Sequence, residues 1–145
     1  MQANNRKPCY NNFIKQLLTI LLLCNILKRK IVFEIIFYKL ENGNSPAEDF
    51  IMSLNSKMKA KTFRAISLLK EYGNELREPF SKPLRDGLFE LRVKLGTDIV
   101  RILYFFCKGK LIILTNGFVK KTQRTPEEEI NLALKYKADY SKKED

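Results

Sequence analysis

Three runs of β-branched, aromatic and aliphatic residues stand almost end to end: "LFELRVKL" (88–95), "DIVRILYFF" (98–106) and "KLIILTNGF" (110–118). The gaps between them hold only tight turns, so the runs must fold back on one another as antiparallel neighbours. Gly96-Thr97 fits a two-residue turn with Gly in its first position. Leu95 then faces Asp98, and counting outward sets Arg92 directly opposite Arg101. Lys108-Gly109 is a weaker two-residue candidate; taken at face value it sets Arg101 opposite Asn116. A slip of one residue in that turn would send Asn116 to the other face.

This register separates the two faces. One carries Phe89, Leu91, Val93, Val100, Ile102, Tyr104, Phe106, Leu111 and Ile113, and two helices are expected to cover it. The other carries Glu90, Arg92, Lys94, Arg101, Asn116 and Phe118, with Leu103, Phe105, Ile112 and Leu114 toward one end. Its polar end is a transverse row, Arg92–Arg101–Asn116. Like charges opposite one another weaken a sheet by a few tenths to about 1 kcal/mol. Two accounts compete. Glu90 and Asp98 neutralise the arginines on a solvated face, or the row cradles phosphate, which guanidinium forks match in pairs. "VKKTQR" (119–124) overhangs the same end, bringing Lys120, Lys121 and Arg124 to it, and three close cations call for an anion.

Around this ribbon the chain reads as helix and strand. "IVFEIIFYKL" (31–40) has strand composition and length. "SPAEDFIMSLN" opens a helix, with Ser45 as cap, Pro46 at the first position and Glu48 completing a capping box. "KMKAKTFRAISLLKEYG" is a second, with Met58, Phe63, Ile66 and Leu69 at helical spacing and Gly73 at the stop. Nothing in this helical hairpin looks chemical, and its lysines are read as solvent-facing. "ELREPFSKPLRDG" (75–87) is a loop, and Thr125, Pro126 and Glu128 repeat the capping signature before a helix through about Lys137. The order is β-α-α-β-β-β-α, an α+β domain with helices against an antiparallel sheet.

Composition bounds the function. The chain of 145 residues is long enough for one domain with a real core, and its net charge of +11 implies an anionic partner: nucleic acid, an acidic protein or an anionic membrane. Its three cysteines form no C-x-x-C pair, which points away from a disulfide framework or zinc site and toward a reducing, cytoplasmic setting. It has no histidine, so the commonest general base and metal ligand is missing. Residues 1–31 read as a basic, apolar extension outside the domain, with "LLTILLLCNIL" (17–27) too short to span a bilayer comfortably and "KRK" where a signal cleavage site should be. A translation start placed too early explains it; secretion and an interfacial membrane helix are the alternatives. The domain is expected over 32–140, with a charged tail at 141–145.

The segments "FEIIFYKLENGNSPAEDFI", "KPLRDGLFELRVKLGTDIVRILYFF" and "GFVKKTQRTPEEEINLAL" together resemble the phage-derived HigB-like branch of the RelE/ParE toxin superfamily, over about residues 32–140. The resemblance implies a RelE-like fold and the toxin of a type II toxin–antitoxin pair. On the RelE/HigB side such toxins cut mRNA on the ribosome without a metal or other cofactor, and a helix-turn-helix, HigA-like antitoxin neutralises them; no stable membrane partner is implied. The ParE side instead poisons DNA gyrase, so fold alone does not fix the target. Arg92 and Arg101 match the family's "ELR" and "YRI" arginines, here "ELR" and "VRI"; Lys120 and Lys121 match its "F-x-K-K", and Thr125-Pro126 its "T-P". Relatives often carry His before the glycine of "HGF", where this chain has Asn116, which cannot exchange a proton near neutral pH.

For RNA cleavage by 2′-hydroxyl attack, Arg92 and Arg101 suit stabilisation of the phosphorane. Lys120 or Lys121 is the first candidate base, because neighbouring cations favour the neutral amine, and Glu90 is the second. Tyr104 could donate a proton, but the register points it into the core. Lys82, Arg85, Lys94, Asn116, Phe118 and Arg124 complete the expected RNA contacts, with Phe118 able either to stack a base or to join the core. A gyrase-directed toxin and a catalytically weakened, antitoxin-binding member are the competing functions.

Overall fold

The computed structural model describes residues 10–27 and 32–144 and divides the chain into two units, 1–30 and 31–145. The first contains α1 (Tyr10–Leu27), whose side chains from Phe13 to Leu23 are all exposed. The basic flanks of this extension (Arg6, Lys7, Lys28, Arg29 and Lys30) and the last residue of the expected tail lie outside the described residues. Among the described residues no helix is long and apolar enough to cross a membrane.

The second unit runs β1 (Glu34–Phe37), α2 (Pro46–Ser53), α3 (Ser56–Tyr72), a short 3-10 turn, β2 (Ser81–Pro83), β3 (Leu88–Leu95), β4 (Asp98–Cys107), β5 (Leu111–Val119) and α4 (Glu127–Glu144). This is the expected α+β architecture, with two differences. The sheet is mixed rather than antiparallel: in the order β1-β5-β4-β3-β2, β1 lies parallel to β5. The α2–α3 hairpin lies between β1 at one edge and β2 at the other, and the antiparallel run β2-β3-β4-β5 then returns the chain to lie beside β1. The second difference is β2, expected as loop, which pairs with Phe89–Leu91 of β3.

The β3–β4 hairpin has the expected register, with Leu95 opposite Asp98 and Arg92 opposite Arg101. Gly96 turns the chain at φ 62°, a conformation that costs a side-chain-bearing residue. The β4–β5 register departs from expectation. Cys107 pairs with Leu111, so three residues form the turn rather than two, and Ile112 and Leu114 face the helical hairpin while Leu111 and Ile113 face the other way. The register then shifts again opposite Leu103/Tyr104, where Thr115 is the extra residue. Two one-residue slips restore the parity, so Asn116 returns to the Arg101 face. It pairs with Leu103, and Arg101 faces Phe118 instead.

Each sheet face has its own core. Ile51, Met58, Ile66 and Leu69 of the hairpin pack on Leu91, Val93, Ile102, Tyr104, Ile112 and Leu114. Ile130 and Ala133 of α4 pack on Leu88, Leu103, Phe105, Ile113 and Phe118 on the opposite face. The capping expectations need correction. Ser45 sits at the N-cap of α2, yet its hydroxyl makes no cap hydrogen bond, whereas Asn55 caps α3 by accepting from the Met58 amide at 2.9 Å. α4 runs to Glu144, beyond the expected end near Lys137.

Candidate nucleic-acid interface

The site is built around a buried carboxylate. Glu90 is 1% exposed, and a charge at that depth needs partners on both oxygens. Arg92 Nε donates to its Oε1 at 2.8 Å, and the Thr125 hydroxyl donates to Oε2. Arg101 Nε lies 3.5 Å from Oε1 without hydrogen-bond geometry, so that contact is an ion pair held by charge alone. Arg101 also donates from Nη1 to the Val100 carbonyl at 3.1 Å. Arg92 reaches outward to Glu78 at 3.6 Å. The opposed arginines are thus tolerated because one carboxylate sits between them. Asp98, expected to share that task, is exposed and joins no described ion pair.

Burial pushes the Glu90 carboxyl up, but the hydrogen bonds from Thr125 and Arg92 and the charges of Arg101 and Arg92 outweigh it, and the net direction is down. Burial lowers the Arg101 guanidinium, with Glu90 opposing and Arg92 adding to the effect. The Lys120 ammonium is lowered by burial first and then by Arg101, with Glu90 opposing and Arg92 and Lys82 adding. Lys120 is placed there by its backbone amide, which donates to the Ile99 carbonyl at 2.7 Å. Lys82 stands across from Glu90 in the β2–β3 register and shares its face.

Of the expected residues, Glu90, Arg92, Arg101, Lys120 and Lys82 are brought together. Others are not. Asn116 is 3% exposed and donates to the Glu129 carboxylate at 2.8 Å, tying β5 to α4. Its expected place opposite Arg101 is overturned by the three-residue turn and the Thr115 bulge together. Phe118 lies in the α4 core, 8% exposed, and is not available to stack a base. Arg85 is held by Asn131 at 2.5 Å and Glu127 at 3.0 Å, so it serves the seam with α4. Lys121 and Arg124 are exposed and join no described ion pair, while Lys94 lines a groove beyond Arg92. Tyr104 is buried, bonded to Ser81 at 2.6 Å and pushed up to about 12 chiefly by burial, so it is a core residue.

Thr125 was legible only as a helix cap, and its hydroxyl goes to Glu90 instead. The groove, of about 800 Å³, runs along β3 and the face of α3 that carries Lys57, Lys61 and Arg64; Phe80, Arg92 and Arg101 also line it. The β2–β3 ladder ends at Leu91, with one further backbone bond from Arg92 to Phe80, and among the described residues no strand pairs with the β3 edge beyond it. The helical spacing of the three α3 cations was visible in the sequence, but a solvated face has the same pattern.

A family model, phage derived protein Gp49-like (DUF891), matches residues 49–138, which is more than half of the chain and includes every residue of the cluster. The chain belongs to the phage-derived Gp49-like family. Gp49-like proteins are RelE-like and toxin-like, in agreement with the mixed sheet flanked by helices and the C-terminal helix. Comparison with curated proteins gives no match.

Proposed function

We propose that this Gp49-like protein is a HigB-like toxin that cuts mRNA on the ribosome. The observation that supports this is the charge imbalance of the cluster: Arg92, Arg101, Lys120 and Lys82 gather around one buried carboxylate. Such a surplus in a partly dry setting favours a phosphate more strongly than the same charges on an open surface.

In the reaction the RNA 2′-hydroxyl attacks the adjacent phosphorus, the bond from phosphorus to the 5′-oxygen breaks, and a 2′,3′-cyclic phosphate forms. Arg92 and the Arg101 charge behind it stabilise the phosphorane. Lys120, its ammonium lowered, takes the 2′-hydroxyl proton as neutral amine, and the ammonium so formed protonates the departing 5′-oxygen. Glu90 is unsuited as base, because both its oxygens are engaged and its pKa is lowered. It orients the arginines. A helix-turn-helix, HigA-like antitoxin would neutralise the toxin, and the cytoplasm would be its setting.

Induction of the full chain followed by mapping of mRNA 5′ ends tests this reading. Cuts within translated frames, lost with Arg92→Ala, are expected. Supercoiling defects with intact mRNA would move the protein to the gyrase-directed side, and no effect on growth would mark a weakened member.

A further inference from the structure

We propose that the groove beside α3 is a second RNA subsite, in which Phe80 stacks a nucleobase and Lys57, Lys61 and Arg64 hold the phosphates that follow it. The inference rests on the RNA reading of the cation cluster and extends it from one phosphate to a strand.

A base needs an accessible aromatic face, and Phe118 has none. Phe80 is 45% exposed and lines the groove. Its position is fixed from behind, because the Arg92 amide donates to its carbonyl at 2.7 Å. That bond sets Phe80 beside the residue that would face the scissile phosphate, and both line the groove. Across the groove, Lys57, Lys61 and Arg64 recur at helical spacing along α3, over about 10 Å of helix axis. All three are exposed and none enters a described ion pair. Lys94 adds a further cation, and no Asp or Glu lines the groove.

Basic walls with an aromatic platform and apolar floor residues such as Val93 and Leu95 suit an unpaired strand, whose bases can turn inward while its phosphates meet the rim. A duplex would present phosphates only and leave Phe80 unused.

The test is binding of the full-length protein to a labelled, uncleavable 2′-O-methyl RNA strand of about eight nucleotides, a usual length for single-strand sites. Phe80→Ala should weaken binding about 5- to 150-fold, the range that base stacking carries, and Phe80→Tyr should restore it. The Lys57→Ala/Lys61→Ala/Arg64→Ala protein should show a salt slope shallower by about 1 to 2, since each phosphate contact contributes about 0.7 on a single strand. Circular dichroism confirms that each variant is folded; all four positions are exposed. Wild-type affinity in Phe80→Ala, or an unchanged slope in the triple variant, overturns the subsite. That includes the case in which the groove seats an acidic protein segment. If Arg92→Ala still abolishes cutting while these variants are neutral, the subsite falls and the nuclease reading stands. If binding depends on Phe80 but the wild type cuts nothing, the reverse holds.

Discussion

Arg92 and Arg101 face each other across two strands, yet their roles diverge with depth. The Arg92 side chain is 21% exposed and lines the groove, whereas that of Arg101 is 9% exposed. Cross-strand repulsion alone would let either arginine be removed with no loss of fold. The buried Glu90 changes that expectation. Arg92→Ala should leave a folded, inactive protein, because Thr125 and Arg101 still attend the carboxylate. Arg101→Ala also leaves Glu90 its hydrogen bonds from Arg92 and Thr125, but it empties a buried position and should cost about 1–3 kcal/mol in urea denaturation. Glu90 also gives an acid signature. Its folded pKa lies below the ordinary value of 4.5, so its stabilisation is complete above that pH and is lost as pH falls through the lower folded value. Glu90→Gln should flatten this acid limb in stability measured against pH. For Lys120 the signature lies in activity rather than in stability. The base must be neutral, so cleavage should rise with pH up to the lowered Lys120 value, below the usual 10.5. Lys120→Arg should abolish cutting while keeping RNA affinity, measured with uncleavable RNA, because a guanidinium keeps its proton.

At the scale of elements, β5 carries the lesson about what could be read in advance. The β3–β4 register followed from Gly96-Thr97 because a two-residue turn fixes every later pair. The β4–β5 turn carried no comparable constraint, and the extra residue, Thr115, resembles any strand threonine. What holds it is tertiary: its hydroxyl donates to the Leu103 carbonyl at 3.0 Å. The mixed sheet was equally hidden, since β1 has strand composition but nothing in it names its neighbour. The helices of the domain were legible from local periodicity, and the arginine pair from the local turn. Asn116 and Arg85 were misplaced, and Phe118 was left open between base stacking and core, because their fate depends on where α4 docks. Two changes test this account. Gly117 has no room for a methyl group, whose carbon would come within 2.3 Å of the Phe50 ring, so Gly117→Ala should lose about 1–3 kcal/mol of stability through overpacking. Asn116→Ala should release Glu129 and speed amide exchange in the first turn of α4, at a cost of about 1–2 kcal/mol.

Taken as a whole, the molecule combines a charge of +11 with a site whose members come from distant parts of the chain. Lys82, Glu90, Arg92, Arg101, Lys120 and Thr125 converge only when β2, β3, β4 and the segment after β5 are all in place. The pairing of β1 with β5 sharpens this dependence. Its partners, from Glu34–Leu111 to Phe37–Leu114, lie at opposite ends of the domain sequence, and contacts of such separation form late in folding. During synthesis the opening strand therefore waits without a neighbour until the closing one has cleared the exit tunnel. A chain halted before residue 111 holds neither the completed sheet nor Lys120, which follows the last strand.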